Sequence, residues 1–320
     1  MALLSIIIVN YRSTKVTCNC LLSLNAALQN LNTEIILIDN GTLTDDRPLY
    51  ASIIPTIIYI PVKDNVGFAR ANNIGIEKAQ GEYILLLNSD TLFPDPDAIS
   101  KTLHFLREEE KNGVGLVGCK LLNEQGLYEP SFFPFLSDSI WLFAILDSPI
   151  LYRIMKIARF YDEPISSKEV LDISGAFMLM NREVAIQVGP LDPDFFLYCE
   201  ESEWCRNRIC MHYRILYYPH ASIVHLGGAS TPAENIFIQQ RLSISLFWYK
   251  KGWLNYILYS IIAYLNVIIY LPFYFTFPKN HFYRKYVVTY ILLIRYILFY
   301  IPSNQSAFGS RKMPLVYGMP

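Results

Sequence analysis

Charge is scarce in this chain. Of its 320 residues only 17% are charged, and the basic and acidic groups balance to a formal net charge of −1. No basic field is present to gather phosphates, so nothing favours a nucleic-acid partner. The six cysteines, Cys18, Cys20, Cys119, Cys199, Cys205 and Cys210, form no CxxC pair and no repeated ligand spacing. That argues against a zinc site or a disulfide framework, and they read as reduced thiols in a cytosolic compartment. The opening stretch, MALLSIIIVNYR, lacks a basic segment before its apolar run and lacks a small-residue cleavage site. The run LLSIIIV is far too short to cross a bilayer and reads as a first β-strand. Without secretion, the sequons at Asn40 and Asn304 are expected to stay bare. No GxGxxG follows that strand, which removes the main support for dinucleotide binding. Internal repeats and low-complexity tracts are absent as well.

What is abundant is apolar surface: 52% of residues are hydrophobic, with 23 Tyr and 19 Phe. The length suits one large domain, or one domain with an appendage. Continuous runs recur early, in LLSIIIVNY (3–11), EIILIDN (34–40), TIIYIP (56–61) and EYILLLNSD (82–90). Unbroken runs, rather than alternation, predict strands covered on both faces, as in a mainly parallel sheet. Helical patterns lie between them, over 15–29 and in GFARANNIGIEKAQG, which ends on Gly81. Strands alternating with helices predict an α/β, Rossmann-like first half. In such sheets ligands bind beyond the carboxyl ends of the strands. Here those ends carry Asn10-Tyr11, Asp39-Asn40 and Asn88-Ser89-Asp90.

Residues 94–111 read as a capped helix with Pro and Asp in its first turn. The aromatic, proline-punctuated segment 128–170 has no clean period and reads as an excursion that covers the sheet or meets substrate. Strand signals resume over 172–180, 213–219 and 221–228, with a helix at about 199–211. After about residue 230 the composition shifts, which sets expected domains of 1–230 and 231–320. The segment 254–277 has no charged residue and is long enough for a hydrocarbon core of ~30 Å. A second, 286–302, is shorter and contains Arg295. Lys250 and Lys251 precede the first, and Lys279, Arg284 and Lys285 fill the connection. Two full spans would put that connection on the side away from the α/β domain, against the positive-inside tendency. Helices lying shallowly at a membrane surface fit the charges better; a buried hairpin or an oligomer interface is the alternative.

Three places offer chemistry. Asp90, two residues after Asn88 at a strand end, suits a hard divalent cation held against a diphosphate, or else a simple Asx-turn. Glu200, Glu201 and Glu203 sit beside aromatics at a helix start, where a carboxylate serves as general base or simply complements the helix dipole. His225 closes a strand before Gly227-Gly228, as a metal ligand, a phosphate contact or a structural residue.

Read in order, SIIIVNYRS, ILIDNGT, NVGFARANNIGI, GEYILLLNSDT, VGLVGCKLL, SGAFMLMNREV, FFLYCEESEWCRNR and YRILYYPHASIVHLGGAS resemble a family 2 glycosyltransferase, in its bacterial rhamnosyltransferase-like branch. The resemblance covers roughly residues 3–250 and implies a GT-A fold, a nucleotide-sugar donor and an inverting displacement. It implies that Asn10, Tyr11 and Asp39 meet the donor's base and ribose, and that Gly67, Arg70 and Asn73 lie near its nucleotide and phosphates. Asn88-Ser89-Asp90 matches a variant DxD motif, with Asp90 the ligand for Mg²⁺ or Mn²⁺. Gly175 falls beside the donor sugar and acceptor, and His225 approaches the metal or diphosphate. Two departures stand out: Asn88 replaces the first DxD carboxylate, and Glu200-Glu201 replaces the usual Glu-Asp, leaving the base between Glu201 and Glu203. Trp204 either offers a face to a sugar ring or lipid-linked acceptor, or packs between helix and sheet.

The expected function is sugar transfer, with rhamnose favoured, from a dTDP-rhamnose or UDP-sugar donor to a glycan or lipid-linked acceptor. It would serve bacterial surface polysaccharide synthesis at the cytoplasmic face of the membrane. Two other classes compete: a non-catalytic nucleotide-sugar-binding assembly partner, and a nucleotidyltransferase, which normally carries the early glycine-rich loop missing here.

Overall fold

The apolar runs of the first half become the centre of a ten-stranded sheet in the order β3-β2-β1-β4-β9-β6-β10-β5. The computed structural model describes residues 3–28, 31–41, 44–132, 163–227, 233–276 and Val287; the side chains of 233–238 and 267 are outside that description. Strands β1 (Leu4–Asn10), β2 (Thr33–Asn40), β3 (Ile58–Val62) and β4 (Tyr83–Asn88) are parallel neighbours. Next comes β9 (Phe177–Asn181), antiparallel to both β4 and β6 (Val114–Leu122), and β6 in turn pairs in parallel with β10 (Arg214–His225). The short strands β5 (Thr91–Leu92), β7 (Tyr128–Glu129) and β8 (Lys168–Val170) add antiparallel edges. The sheet is therefore mixed, with its longest pairings parallel.

Burial explains why those runs do not alternate. All seven residues of β1 are buried. Leu4, Ile6 and Ile8 enter one apolar cluster with residues of helices α1 (Thr14–Ala27) and α4 (Ala98–Glu109). Ile7 and Val9 enter the opposite cluster with Ala69 and Ala71 of α3 (Phe68–Lys78) and with Trp204. Helix on both faces is what a continuous apolar strand requires. Helix α3 lies so close to β1 that a Cβ at Gly75 would strike the Ile7 side chain. The remaining helices of this half are α2 (Arg47–Ile53), α5 (Arg182–Val188) and α6 (Glu200–Asn207).

Two expectations change here. Helix α4 starts at Ala98, so Asp95 and Asp97 precede it rather than occupy its first turn. The two strands expected around Pro219 are one, β10, with a register shift between Tyr218 and Ser222. Pro219 has no N–H for a ladder, and a bulge absorbs it without ending the strand. Most of the 128–170 excursion, residues 133–162, lies outside the described residues, as do the second apolar segment, 286–302 apart from Val287, and Asn304.

By compactness the chain forms two units. The sheet unit comprises Met1–Phe133, Tyr161–Pro193 and Glu200–Ser230; the other takes Pro134–Phe160, Asp194–Cys199 and Thr231–Pro320. In the second, α7 (Ala233–Lys250) and α8 (Trp253–Thr276) share an apolar cluster that includes Leu246, Phe247, Tyr259 and Ala263. Along α8 the buried residues Tyr256, Tyr259, Ala263, Asn266 and Tyr270 recur at alternating intervals of three and four, a packed seam. Leu254, Ile257, Ile261, Tyr264, Leu265 and Ile268 remain exposed. Among the described residues, α8 is the one helix long and apolar enough to cross a membrane. All six cysteines are free thiols.

Candidate active site

The carboxyl ends of β1 and β2 are tied side by side by their parallel register, which pairs Asn10 with Asp39. Asn10 Nδ2 donates to Asp39 Oδ1 at 2.9 Å, and Asn10 Oδ1 accepts from the Ser13 and Thr17 hydroxyls, each at 2.9 Å. The Tyr59 hydroxyl, from β3, donates to the other Asp39 oxygen. Both Asn10 and Asp39 are buried. Tyr11 follows at the strand end, half-buried, with the Arg12 guanidinium 5.3 Å from its ring centre. Arg12 itself has φ +50°, the left-handed region, just where β1 turns into the site.

One strand-end residue proved more central than its sequence reading. Asn40 Oδ1 accepts from Val66 N at 2.8 Å, and its Nδ2 donates to Asn65 Oδ1 at 2.9 Å. This pins the loop that ends at Gly67, the residue with φ +90° that opens α3. The signal was present as a polar residue closing an apolar strand, but its partner lies 26 positions on. Arg70 donates through Nε to Pro193 O at 2.9 Å. Asn73 brackets the Leu191 backbone, donating to its carbonyl at 2.8 Å and accepting from its N–H at 2.9 Å. Both side chains thus hold segment 191–193 against α3.

Asn88, Asp90 and His225 converge. Strand β5 pairs with the end of β10 so that Thr91 faces His225, and Leu226 N donates to Asp90 O at 2.9 Å. His225 Nε2 lies 3.4 Å from Asp90 Oδ1 and 3.4 Å from Asn88 Nδ2. Its Nδ1 donates to Glu129 Oε1 at 3.1 Å. Burial by itself lowers the imidazole, but the hydrogen bonds and charges of Asp90 and Glu129 outweigh it and hold His225 up at about 10. Glu129 had no signal in the sequence. It stands alone on a two-residue strand, and only the sheet brings it to His225.

These residues suit a divalent cation. Asn88 Oδ1 is buried without a hydrogen-bond partner among the described residues, on the amide whose Nδ2 stands 3.4 Å from His225 Nε2. An orphaned oxygen of this kind normally has a polar partner to meet. Among the described residues no group of three or more His, Cys, Asp or Glu side chains makes a closed cage. Cations that bind between one or two protein ligands and a phosphate need none.

Helix α6 separates its glutamates by environment. Glu203 is buried and ion-paired, with Arg208 Nε 3.3 Å from its Oε2; Arg208 also donates to Pro190 O at 2.8 Å. Glu201 is half-buried, and desolvation, assisted by the nearby Asp172 charge, pushes its carboxyl up to about 7. Asp172 in turn makes a buried ion pair with Arg206 at 2.7 Å. Of the two candidate bases, Glu201 is the one whose carboxyl is raised, and Glu203 is the one paired with Arg208. Trp204 is fully buried and donates through Nε1 to Gly189 O at 2.8 Å. The expectation that it offers a face to an acceptor is corrected, since its ring is core. A Cβ added at Gly175 would meet only the Phe68 ring, at 3.6 Å. Nothing in the protein's own packing therefore demands glycine there.

Comparison with known proteins extends this geometry. The family profile described as Glycosyl transferase family 2 matches residues 5–189. An uncharacterized glycosyltransferase of Haemophilus influenzae is 38% identical over 112 residues, which cover 33% of this chain and 43% of that protein. The low-salt glycan biosynthesis hexosyltransferase Agl10 of Haloferax volcanii is 26% identical over 63% of this chain and 60% of its own length. The rhamnosyltransferase WbbL of Escherichia coli is 29% identical over 50% of this chain and 60% of its length. The chain thus spans 43 to 60% of the length of these relatives. Among solved structures, the mannosyltransferase PcManGT of Pyrobaculum calidifontis, in complex with GDP-Man and Mn²⁺, is similar in fold. Its TM-score is 0.54 at 15% identity, over 93% of this chain and 86% of that one.

Proposed function

The chain belongs to glycosyl transferase family 2, has the GT-A fold, and on that premise we propose that it is a metal-dependent inverting enzyme. It moves a sugar, rhamnose first among the candidates, from a nucleoside-diphosphate donor to a hydroxyl of a glycan or lipid-linked acceptor in surface polysaccharide synthesis. The observation that carries the reading is the meeting of Asn88, Asp90 and His225 at the carboxyl end of β4, with one buried amide oxygen unpartnered.

In this reading Asp90 and His225 would hold Mg²⁺ or Mn²⁺, and the ion would supply charge neutralisation for the departing diphosphate. The complex of the similarly folded mannosyltransferase with Mn²⁺ supports that choice. Glu201 accepts the proton of the acceptor hydroxyl. The hydroxyl oxygen attacks the anomeric carbon from the side opposite the diphosphate, and the bond to the leaving oxygen breaks with its electron pair. Asn10, Tyr11 and Asp39 frame the nucleoside, with Ser13, Thr17 and Tyr59 holding Asn10 and Asp39 in register. Gly67 turns the backbone into α3, while Arg70 and Asn73 fix segment 191–193. Gly175 leaves room beside Phe68 for donor sugar or acceptor.

The reading extends to a location at the cytoplasmic face of a membrane. The exposed apolar side of α8, with Lys250 and Lys251 before it and Lys279, Arg284 and Lys285 after it in the sequence, supports this. The test is a screen of nucleotide sugars with and without Mn²⁺, reading nucleoside diphosphate release and the mass of the acceptor. Transfer from one donor class, lost on chelation, is the expected result. Pyrophosphate release from a nucleoside triphosphate would overturn the reading in favour of a nucleotidyltransferase, and donor binding without transfer would leave an assembly partner.

A further inference from the structure

We infer that Glu129 is a positioning residue for the cation site: it fixes the ring orientation and tautomer of His225 so that Nε2 is the atom presented toward Asp90 and Asn88. The inference rests on the proposed cation reading and adds to it a residue outside the expected ligand set.

Distances rank the two sides of the ring. Nδ1 to Glu129 Oε1 is 3.1 Å, within hydrogen-bond range, while Nε2 stands 3.4 Å from both Asp90 Oδ1 and Asn88 Nδ2. The Glu129 contact is the shorter of the two hydrogen bonds to the ring, and it is the one that remains when Nε2 gives up its proton to a cation. An ionised carboxylate only accepts hydrogen bonds, so Nδ1 must carry its hydrogen there, and the lone pair of a ligating neutral ring falls on Nε2. A histidine ligand whose second nitrogen donates to a carboxylate is a recurrent arrangement at metal centres, where the outer carboxylate fixes the ring and raises its basicity.

The frame that delivers Glu129 is backbone, not a chance side-chain reach. On β6, Leu121 pairs with Glu129 of β7, and the same Leu121 pairs with Ile223 of β10, two residues before His225. His225 is also laddered to Thr91 of β5, the residue after Asp90. Carboxylate, ring and ligand thus sit on strands of one hydrogen-bonded sheet, with Glu129 partly exposed and His225 and Asp90 more covered. A merely stabilising ion pair would need none of this registration with Asp90.

The experiment compares full-length wild type with Glu129→Ala, Glu129→Asp and Glu129→Gln, using His225→Ala and Asp90→Ala as references. Mn²⁺ affinity is read by electron paramagnetic resonance, alone and with UDP or dTDP, and ¹⁵N hyperfine coupling to labelled histidine reports the ligand directly. Loss of the outer carboxylate should weaken Mn²⁺ by about 10–100-fold and diminish the coupling. Glu129→Asp, whose carboxylate is one methylene short, should behave like Glu129→Ala, so the test survives if the alanine variant does not fold. Glu129→Gln keeps an accepting oxygen and should recover most of the affinity. Wild-type affinity and coupling in Glu129→Ala or Glu129→Asp, with His225→Ala weakened, would overturn the positioning role and leave the cation site standing. Unchanged affinity in both His225→Ala and Asp90→Ala would overturn the cation reading itself, and this inference with it.

Discussion

Glu201 and Glu203 stand two residues apart on one short helix, and their surroundings differ. Glu203 is buried and ion-paired with Arg208, while desolvation raises the Glu201 carboxyl to about 7. Glu201→Gln should lower turnover by about 10²–10⁴-fold while leaving donor affinity, measured calorimetrically, unchanged. Because the base must be deprotonated to accept a proton, kcat/KM should rise with pH through about 7 and level off above it. Folding stability moves the other way. A carboxyl whose folded value is raised binds its proton more tightly when folded, so its contribution is full below the unfolded value and is lost as pH climbs toward 7. Glu201→Gln should flatten that part of the stability profile, as followed by denaturant unfolding at several pH values. Gly175 is a second residue whose role is separable from folding. An added methyl meets only the Phe68 ring at ordinary contact distance. Gly175→Ala should therefore melt within about 0.5 kcal/mol of wild type, as a substitution that disturbs no packing does, yet raise KM for donor or acceptor.

At the scale of elements, the clearest case is α8. It is apolar on both sides: one side forms the Tyr256, Tyr259, Ala263, Asn266, Tyr270 seam, and the other is open. Helices apolar all round are covered on all sides, by protein or by lipid. Ile261→Lys on the open side should abolish co-sedimentation with anionic vesicles and leave the melting temperature nearly unchanged; a change in oligomeric mass instead would identify that side as a subunit interface. Elements were unevenly legible. Strands β1, β2 and β4 were plain in the sequence because burial on both faces demands uninterrupted apolar runs. The continuity of β10 was not, because Pro219 reads as a stop and only the neighbouring strand reveals the bulge that carries the ladder past it. The start of α4 was read early for a similar reason, since Asp95 and Asp97 suit a first turn and the turn before it equally well.

Across the whole molecule, the core is held by two apolar clusters on the faces of the sheet and a third between α7 and α8, with no disulfide and no closed metal cage among the described residues. On the proposed cation reading, removing divalent cations should end sugar transfer with little change in melting temperature, measured by calorimetry, and added Mn²⁺ should restore the activity. The sequence by itself determined the α/β class, the strand-end polar residues Asn10, Asp39, Asn88 and Asp90, and membership of the family, because all of these are written in local runs and in the order of short blocks. Tertiary structure alone gave Glu201 and Glu203 different surroundings, took Trp204 into the core, and brought Glu129 to His225 across 96 positions of chain. The physical reason is that proton affinity, exposure and hydrogen-bond partnership belong to a residue's surroundings, and in a sheet whose sequence order is not its spatial order those surroundings come from distant strands.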